Sequence, residues 1–295
     1  MGKKWIAIDW GTSNFRAWLM NDVRVKNHIA RPCGLLNIDK NAFAQTLYGL
    51  LGGWLRDAPP LLMAGMVGSQ QGWREAPYCP LPADSASLSA HRCFVATPWG
   101  SPAWIIPGVS GLNALGLPDV MRGEEVQLLG LATLSRTVRR AILPGTHSKH
   151  ARLEAGAIRD FSTFMTGELF ALLVGHSLLG RDLSDAGPDD EAFRLGVRHS
   201  QLDAPQSQLL FSARTLRLGG DLPASGVRDY LSGLLIGAEL RHSPRKGLAV
   251  VGAETLCERY RMAAEELGIT LRFYDGDRCF LAGMTLLYHS LKGED

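Results

Sequence analysis

Ile6-Ala7-Ile8-Asp9-Trp10-Gly11-Thr12-Ser13-Asn14-Phe15-Arg16-Ala17-Trp18 is the most informative run of this chain. The apolar residues from Trp5 to Ile8 have the pattern of a buried strand, Gly11 to Asn14 are turn residues, and Phe15 to Leu19 resumes as a strand. Together they predict a β-hairpin with Asp9 at the mouth of its turn. One carboxylate there can hold a magnesium ion, directly or through water. The N–H groups and hydroxyls of Gly11, Thr12, Ser13 and Asn14 can face phosphate beside it. An ordinary hairpin with a surface Asp has the same local pattern, so the rest of the chain has to decide.

Two later elements are of similar type. A strand and turn recur at Ala141-Ile142-Leu143-Pro144-Gly145-Thr146-His147-Ser148-Lys149, and a Gly-containing strand-to-helix turn at Val250-Val251-Gly252-Ala253-Glu254-Thr255. Three such elements in this order resemble the two phosphate loops and the adenosine loop of the actin-like ATPase superfamily, which includes sugar kinases, actin and heat-shock chaperones. The resemblance implies an α/β fold of two actin-like (ribonuclease H-like) domains with a nucleotide and sugar cleft between them. The N-terminal domain would be 1–137, with the first phosphate loop and the acceptor side. The C-terminal one would be 138–295, with the second phosphate loop and the adenosine loop.

The 295 residues suffice for two domains, and 46% hydrophobic against 20% charged residues is the balance of a soluble globular chain. A net charge of +2 gives no sign of nucleic acid or an anionic membrane as partner. Lys3 and Lys4 precede an apolar run, but Asp9 cuts it short of a signal sequence. Tyr230 to Leu240 is too short and too interrupted to span a bilayer. The five cysteines (Cys33, Cys79, Cys93, Cys257, Cys279) are odd in number and lack a Cys-x-x-Cys pair, which fits reduced thiols in a cytoplasm rather than zinc. A homodimer is compatible with the sequence.

After the hairpin, Val23 to Ile29 is expected to complete a meander and Asn41 to Leu55 to form an amphipathic helix. Pro60 to Ala64 reads as a buried strand emptying into Gly65-Met66-Val67-Gly68-Ser69, which with Trp73 is a candidate substrate wall, because ligands bind beyond strand ends in open α/β sheets. Residues 74–102, with scattered prolines, read as a long irregular insertion, and Ala103 to Pro107 as a strand.

Met121-Arg122-Gly123-Glu124-Glu125 opens a helix running to about Leu134. Glutamates in a first turn complement the helix dipole without any catalytic role. The helix nevertheless precedes the second phosphate-loop candidate, as does the helix carrying the catalytic Asp in many actin-like sugar kinases. Glu124 or Glu125 is therefore the candidate base that orients a substrate hydroxyl and accepts its proton, with Asp9 as the alternative. In the second loop, Gly145 and Thr146 are expected at phosphate. His147, Lys149 and His150 stand where some family versions have an acidic residue, and such cations suit a transferring phosphoryl group or a substrate carboxylate.

Gly156 to Phe164 reads as a return strand leading into Thr166-Gly167-Glu168-Leu169, where Thr166 is expected to cap a helix with Glu168 in its first turn, both near a cleft. Helical patterns follow at 189–200, 206–217 and 225–241. At the third loop, Gly252 and Ala253 let a nucleotide approach the backbone at a helix N-terminus. Asp275-Gly276-Asp277 opens a last helix whose Ala282 and Gly283 are small enough for close helix contact between domains.

Six strings go beyond the superfamily. They are Ile8 to Asn14, Met63 to Ser69, Met121 to Glu125, Pro144 to Lys149, Met165 to Leu169 and Leu231 to Glu239. They resemble the 2-dehydro-3-deoxygalactonokinase family nearly end to end, most weakly over 84–102. The resemblance implies ATP-dependent phosphorylation of the 6-hydroxyl of 2-dehydro-3-deoxy-D-galactonate in galactonate breakdown, with Asp9 holding Mg²⁺. Arg16, Arg122 and Lys149 are candidates for the substrate carboxylate or the γ-phosphate. A kinase of another sugar or sugar acid, and an actin-like or chaperone-like switch whose output is ATP hydrolysis, are the alternatives.

Overall fold

In a computed structural model of the chain, residues 3–35, 38–183 and 187–292 are described. The chain divides into two compact units.

The first unit opens with strands β1 (Lys4–Trp10), β2 (Phe15–Asn21) and β3 (Arg24–Arg31), the expected meander. Helix α1 (Phe43–Leu51) is shorter than expected because the chain tightens at Gly52 into a 3₁₀ turn, Gly52–Leu55. Strand β4 (Leu61–Ala64) follows. The stretch expected to be irregular is ordered: it holds β5 (Cys79–Pro80), α2 (Ser85–Ala90) and β6 (Cys93–Ala96). Asp84 explains part of this, since it accepts from Ser87 N and closes a capping box at the start of α2. Then come β7 (Pro102–Ile105), β8 (Val109–Leu112), β9 (Pro118–Met121) and α3 (Glu124–Leu134).

The main sheet has the order β3-β2-β1-β4-β7-β6, with β1, β4 and β7 parallel and the outer pairs antiparallel. The apolar run of β1 is continuous because the strand is covered on both faces. Ile6, Ile8 and Trp10 join a core with Phe43 and Leu47 of α1, while Trp5, on the alternate face, stacks on Tyr288 with ring centroids 4.3 Å apart.

A second sheet and its helices follow in chain order: β10 (Arg140–Leu143), β11 (Ser148–Glu154), β12 (Ala157–Phe164), α4 (Thr166–His176), α5 (Asp190–His199), α6 (Gln206–Gly219), α7 (Val227–Leu240), β13 (Leu248–Gly252), α8 (Glu254–Leu267) and β14 (Leu271–Asp275). Its sheet order, β12-β11-β10-β13-β14, repeats the order of the first five strands of the main sheet. The last helix is α9 (Gly276–Lys292).

The expected unit 138–295 differs at two segments, since among the described residues 151–161 and 276–292 group with the first unit. Ile158 exchanges backbone hydrogen bonds of 2.8 and 3.0 Å with Ala83. Helix α9 crosses α3 closely: a Cβ on Gly283 would lie 2.0 Å from Val126 O, and one on Gly130 1.8 Å from Cys279 O. The close helix contact expected of Gly283 is therefore made inside the first unit.

Candidate active site

In the first unit Asp9 stands at the end of β1, in register with Arg16 on β2 and with Ala64 on β4. The turn between them is closed by Gly11 N donating to Asn14 O at 2.9 Å, and Thr12, Ser13 and Asn14 are exposed. Arg16 donates to Asp9 Oδ2 through Nη2 and to Asp277 Oδ1 through Nη1, so one guanidinium joins two carboxylates. The Asp9 side chain keeps 18% of its surface in solvent. Burial pushes its pKa up, the Arg16 charge opposes this, and the nearby Asp277 and Glu124 add to the rise. Asp277 was not singled out in the sequence, because an Asp in a helix's first turn ordinarily complements the dipole.

Two glycines bring α3 to this carboxylate. Gly65 has φ +94°, and a Cβ there would meet Trp10 O at 2.9 Å and Asp9 Oδ1 at 3.2 Å. Gly123 has φ +111°, with its Cβ position 3.4 Å from Gly65 Cα. The positive φ requires glycine at both positions, and at Gly65 the close approach to Trp10 O does as well.

The two candidate bases then separate. Glu124 is partly exposed and adds its charge to the environment of Asp9, whereas Glu125 is 0% exposed. Glu125 Oε2 accepts from Gly123 N at 2.7 Å, and its Oε1 is buried with no partner among the described residues. Burial, then the charge of Glu124, push the Glu125 pKa up to about 8. A carboxyl raised in the folded state binds more protons there than when unfolded. Its contribution to stability is therefore present at low pH and is lost as pH rises from about 4.5 toward about 8. Denaturant titrations across that window are expected to show a fall on the order of 4 kcal/mol in the unsubstituted protein that is absent in Glu125→Gln. Parallel pH profiles for the two proteins would contradict it.

The wall expected at Gly65 to Ser69 and Trp73 is mostly interior. Val67 is 0% exposed and Gly68 is buried, so these two are corrected to packing residues, while Trp73 is partly exposed and stacks on Phe43 at 6.4 Å against the core. Met66 and Ser69 are partly exposed, and Arg122 packs beside Gly68.

In the second unit the loop Gly145 to Lys149 rests on the start of α4. Glu168 N donates to Thr146 O at 2.9 Å, and a Cβ on Gly167 would fall 2.4 Å from Gly145 O. His147 Nε2 meets Glu168 Oε2 at 2.5 Å. Lys149, expected as a cation for a phosphoryl group or a substrate carboxylate, is 4% exposed and donates from Nζ to His147 O at 2.8 Å. Thr166 does not cap α4; its hydroxyl donates to Glu239 Oε2.

Glu239 is the hub the sequence reading passed over. Its carboxylate also accepts from Ser148 Oγ at 2.7 Å and Tyr260 OH at 2.8 Å, and lies 2.8 Å from His150 Nε2. Burial raises its pKa, but His150, Thr166 and Ser148 outweigh it and hold the group below its usual value. The available signal was a Glu inside the apolar run Leu234 to Leu240, which needs partners when buried. Its stabilising contribution is present above the unfolded pKa and lost as pH falls. Glu239→Ala strands these donors and is expected to cost about 3–5 kcal/mol in denaturation. A loss below about 1 kcal/mol would mean that they find other acceptors.

Beside this hub is a cavity of about 240 Å³. Gly145, Thr166, Gly167, Ile236, Arg259 and Tyr260 are among its lining residues. Leu256, Arg259 and Tyr260 of α8 also line it, whereas Gly252 and Ala253, expected at the nucleotide, are not among its lining residues.

A model of the 2-keto-3-deoxy-galactonokinase family matches residues 9–287. The chain belongs to that family. It is 34% identical over 296 residues to the 2-dehydro-3-deoxygalactonokinase of Escherichia coli K12, covering 99% of both chains. A crystal structure from Sinorhizobium meliloti, assigned as a 2-dehydro-3-deoxygalactonokinase, superposes with a TM-score of 0.85 at 34% identity, covering 97% of this chain and 96% of the other. The activator of 2-hydroxyisocaproyl-CoA dehydratase from Clostridium difficile, solved with ADPNP, shares the fold at a TM-score of 0.53 and 12% identity, covering 99% and 96%. The fold is that of the actin-like ATPases and sugar kinases, and as a member of the 2-keto-3-deoxy-galactonokinase family the chain is a phosphotransferase.

Proposed function

We propose that this kinase transfers the γ-phosphoryl group of ATP to the 6-hydroxyl of 2-dehydro-3-deoxy-D-galactonate, giving the 6-phosphate and ADP in the cytoplasmic breakdown of galactonate. The observation that carries the reading is the family match over residues 9–287, which takes in the Asp9 hairpin, the Gly123-Glu124 helix start and the second loop. Asp9 suits Mg²⁺, since it is a partly exposed carboxylate with Asp277 and Glu124 adding negative charge around it. Among the described residues no cluster of three or more potential ligands forms an all-protein cage. A Mg²⁺ at Asp9 would be held by that carboxylate together with water and substrate phosphates. Mg²⁺ supplies charge neutralisation at the β- and γ-phosphates when bound.

The chain's own groups supply the rest. In the first unit the exposed turn residues Thr12 to Asn14 offer backbone N–H groups and hydroxyls to phosphate oxygens. The cavity lined by Tyr260, Arg259 and Ile236 receives the nucleoside. Glu124 orients the acceptor hydroxyl and takes its proton late, because a loose transition state demands positioning more than a strong base. Glu125, neutral below about pH 8, fixes Gly123 and with it the start of α3. Product analysis by phosphorus-coupled NMR tests the assignment. A phosphate ester on C6 is the expected result, and an ester at another carbon, or none, refutes it.

A further inference from the structure

We propose that Arg122, together with Ser69, binds the carboxylate of the acceptor and so restricts the enzyme to sugar acids; this rests on the acceptor class proposed above. Arg122 follows β9, and its Nη2 donates to Ala76 O at 3.0 Å. The guanidinium lies over the Tyr78 ring, with Cζ 4.4 Å from the centroid. Nε and Nη1, which carry three of the five guanidinium N–H groups, are out of solvent with no acceptor among the described residues. Gly68 makes room for them, since a Cβ there would stand 2.9 Å from Nη1. The hydroxyl of Ser69, the next residue, is also buried without a partner.

Buried donors that lack acceptors are uncommon in folded proteins. Here they occur on a fixed cation and on the neighbouring loop, within the same unit as Asp9 and Glu124. The other two cations considered are differently placed: Arg16 bridges Asp9 and Asp277, and Lys149 is buried against His147 O. A planar guanidinium is the side chain whose donors match a carboxylate, and Tyr78 holds its plane.

The test compares 2-dehydro-3-deoxygalactonate with its C1 amide, the same acceptor without the charge. In the unsubstituted enzyme kcat/KM favours the acid. Arg122→Gln is expected to reduce that acid-to-amide ratio about 10- to 100-fold through the KM of the acid, leaving the KM of ATP unchanged. Ser69→Ala is expected to reduce it a few-fold. Should Arg122→Gln fail to fold, the ratio is read in Arg122→Lys, which keeps the charge and loses the fork; a fall of at least about threefold is expected. Equal losses on acid and amide make Arg122 a packing residue and overturn the proposal, as does an unchanged ratio. No turnover of the acid by the unsubstituted enzyme overturns the acceptor assignment and this subsite together.

Discussion

Asp9→Ala is expected to lower kcat by about a thousandfold or more while the protein stays folded. The loss follows from removing the carboxylate proposed to anchor the cation at the transferring phosphoryl group, where several kcal/mol of charge stabilisation are at stake. The fold survives for a separate reason. Burial raises the pKa of Asp9, so its charged form is disfavoured where it stands. Arg16, about one-third exposed, retains Asp277 as a partner. A partly exposed ion pair contributes about 0–1 kcal/mol, and the core face of β1, with Ile6, Ile8 and Trp10 fully buried, is untouched. Single-turnover rates alongside thermal melts separate the two effects. Near-normal turnover would remove Asp9 from the mechanism.

Glu124→Gln is expected to reduce kcat about 10²- to 10⁴-fold with little change in the KM of ATP. Glu125→Gln at neutral pH should cost less than about tenfold. The difference comes from their positions one residue apart on α3: Glu124 is partly exposed near Asp9, while Glu125 is sealed off and tied to Gly123 N. Gln replaces a carboxyl that is already neutral with another neutral group of the same shape. Equal, mild effects of the two substitutions would place the base elsewhere.

The local elements of this site were legible in the sequence. The unbroken apolar run of β1, the small residues after it and the resumption at Phe15 marked the hairpin, with Asp9 beside its turn. The helix start at Gly123-Glu124 was readable from a Gly followed by two acidic residues. Long-range pairings were not. Asp277 meets Arg16 across 261 positions, and Glu239 meets Ser148 across 91. Nothing local to either residue reports its partner. The burial of Lys149 was hidden for the same reason, since a Lys in a turn looks accessible until the carbonyl that receives it is known. Trp73 and Val67 were assigned to a wall because a small-residue loop after a strand looks open, whereas α1 covers it through Phe43.

The most direct test of the central claim is ADP release by the purified protein with Mg-ATP, measured without acceptor and then with 2-dehydro-3-deoxygalactonate, galactonate and neutral hexoses in turn. Release that is slow alone and strongly stimulated by 2-dehydro-3-deoxygalactonate is the predicted result. Steady hydrolysis that no acceptor accelerates would contradict it.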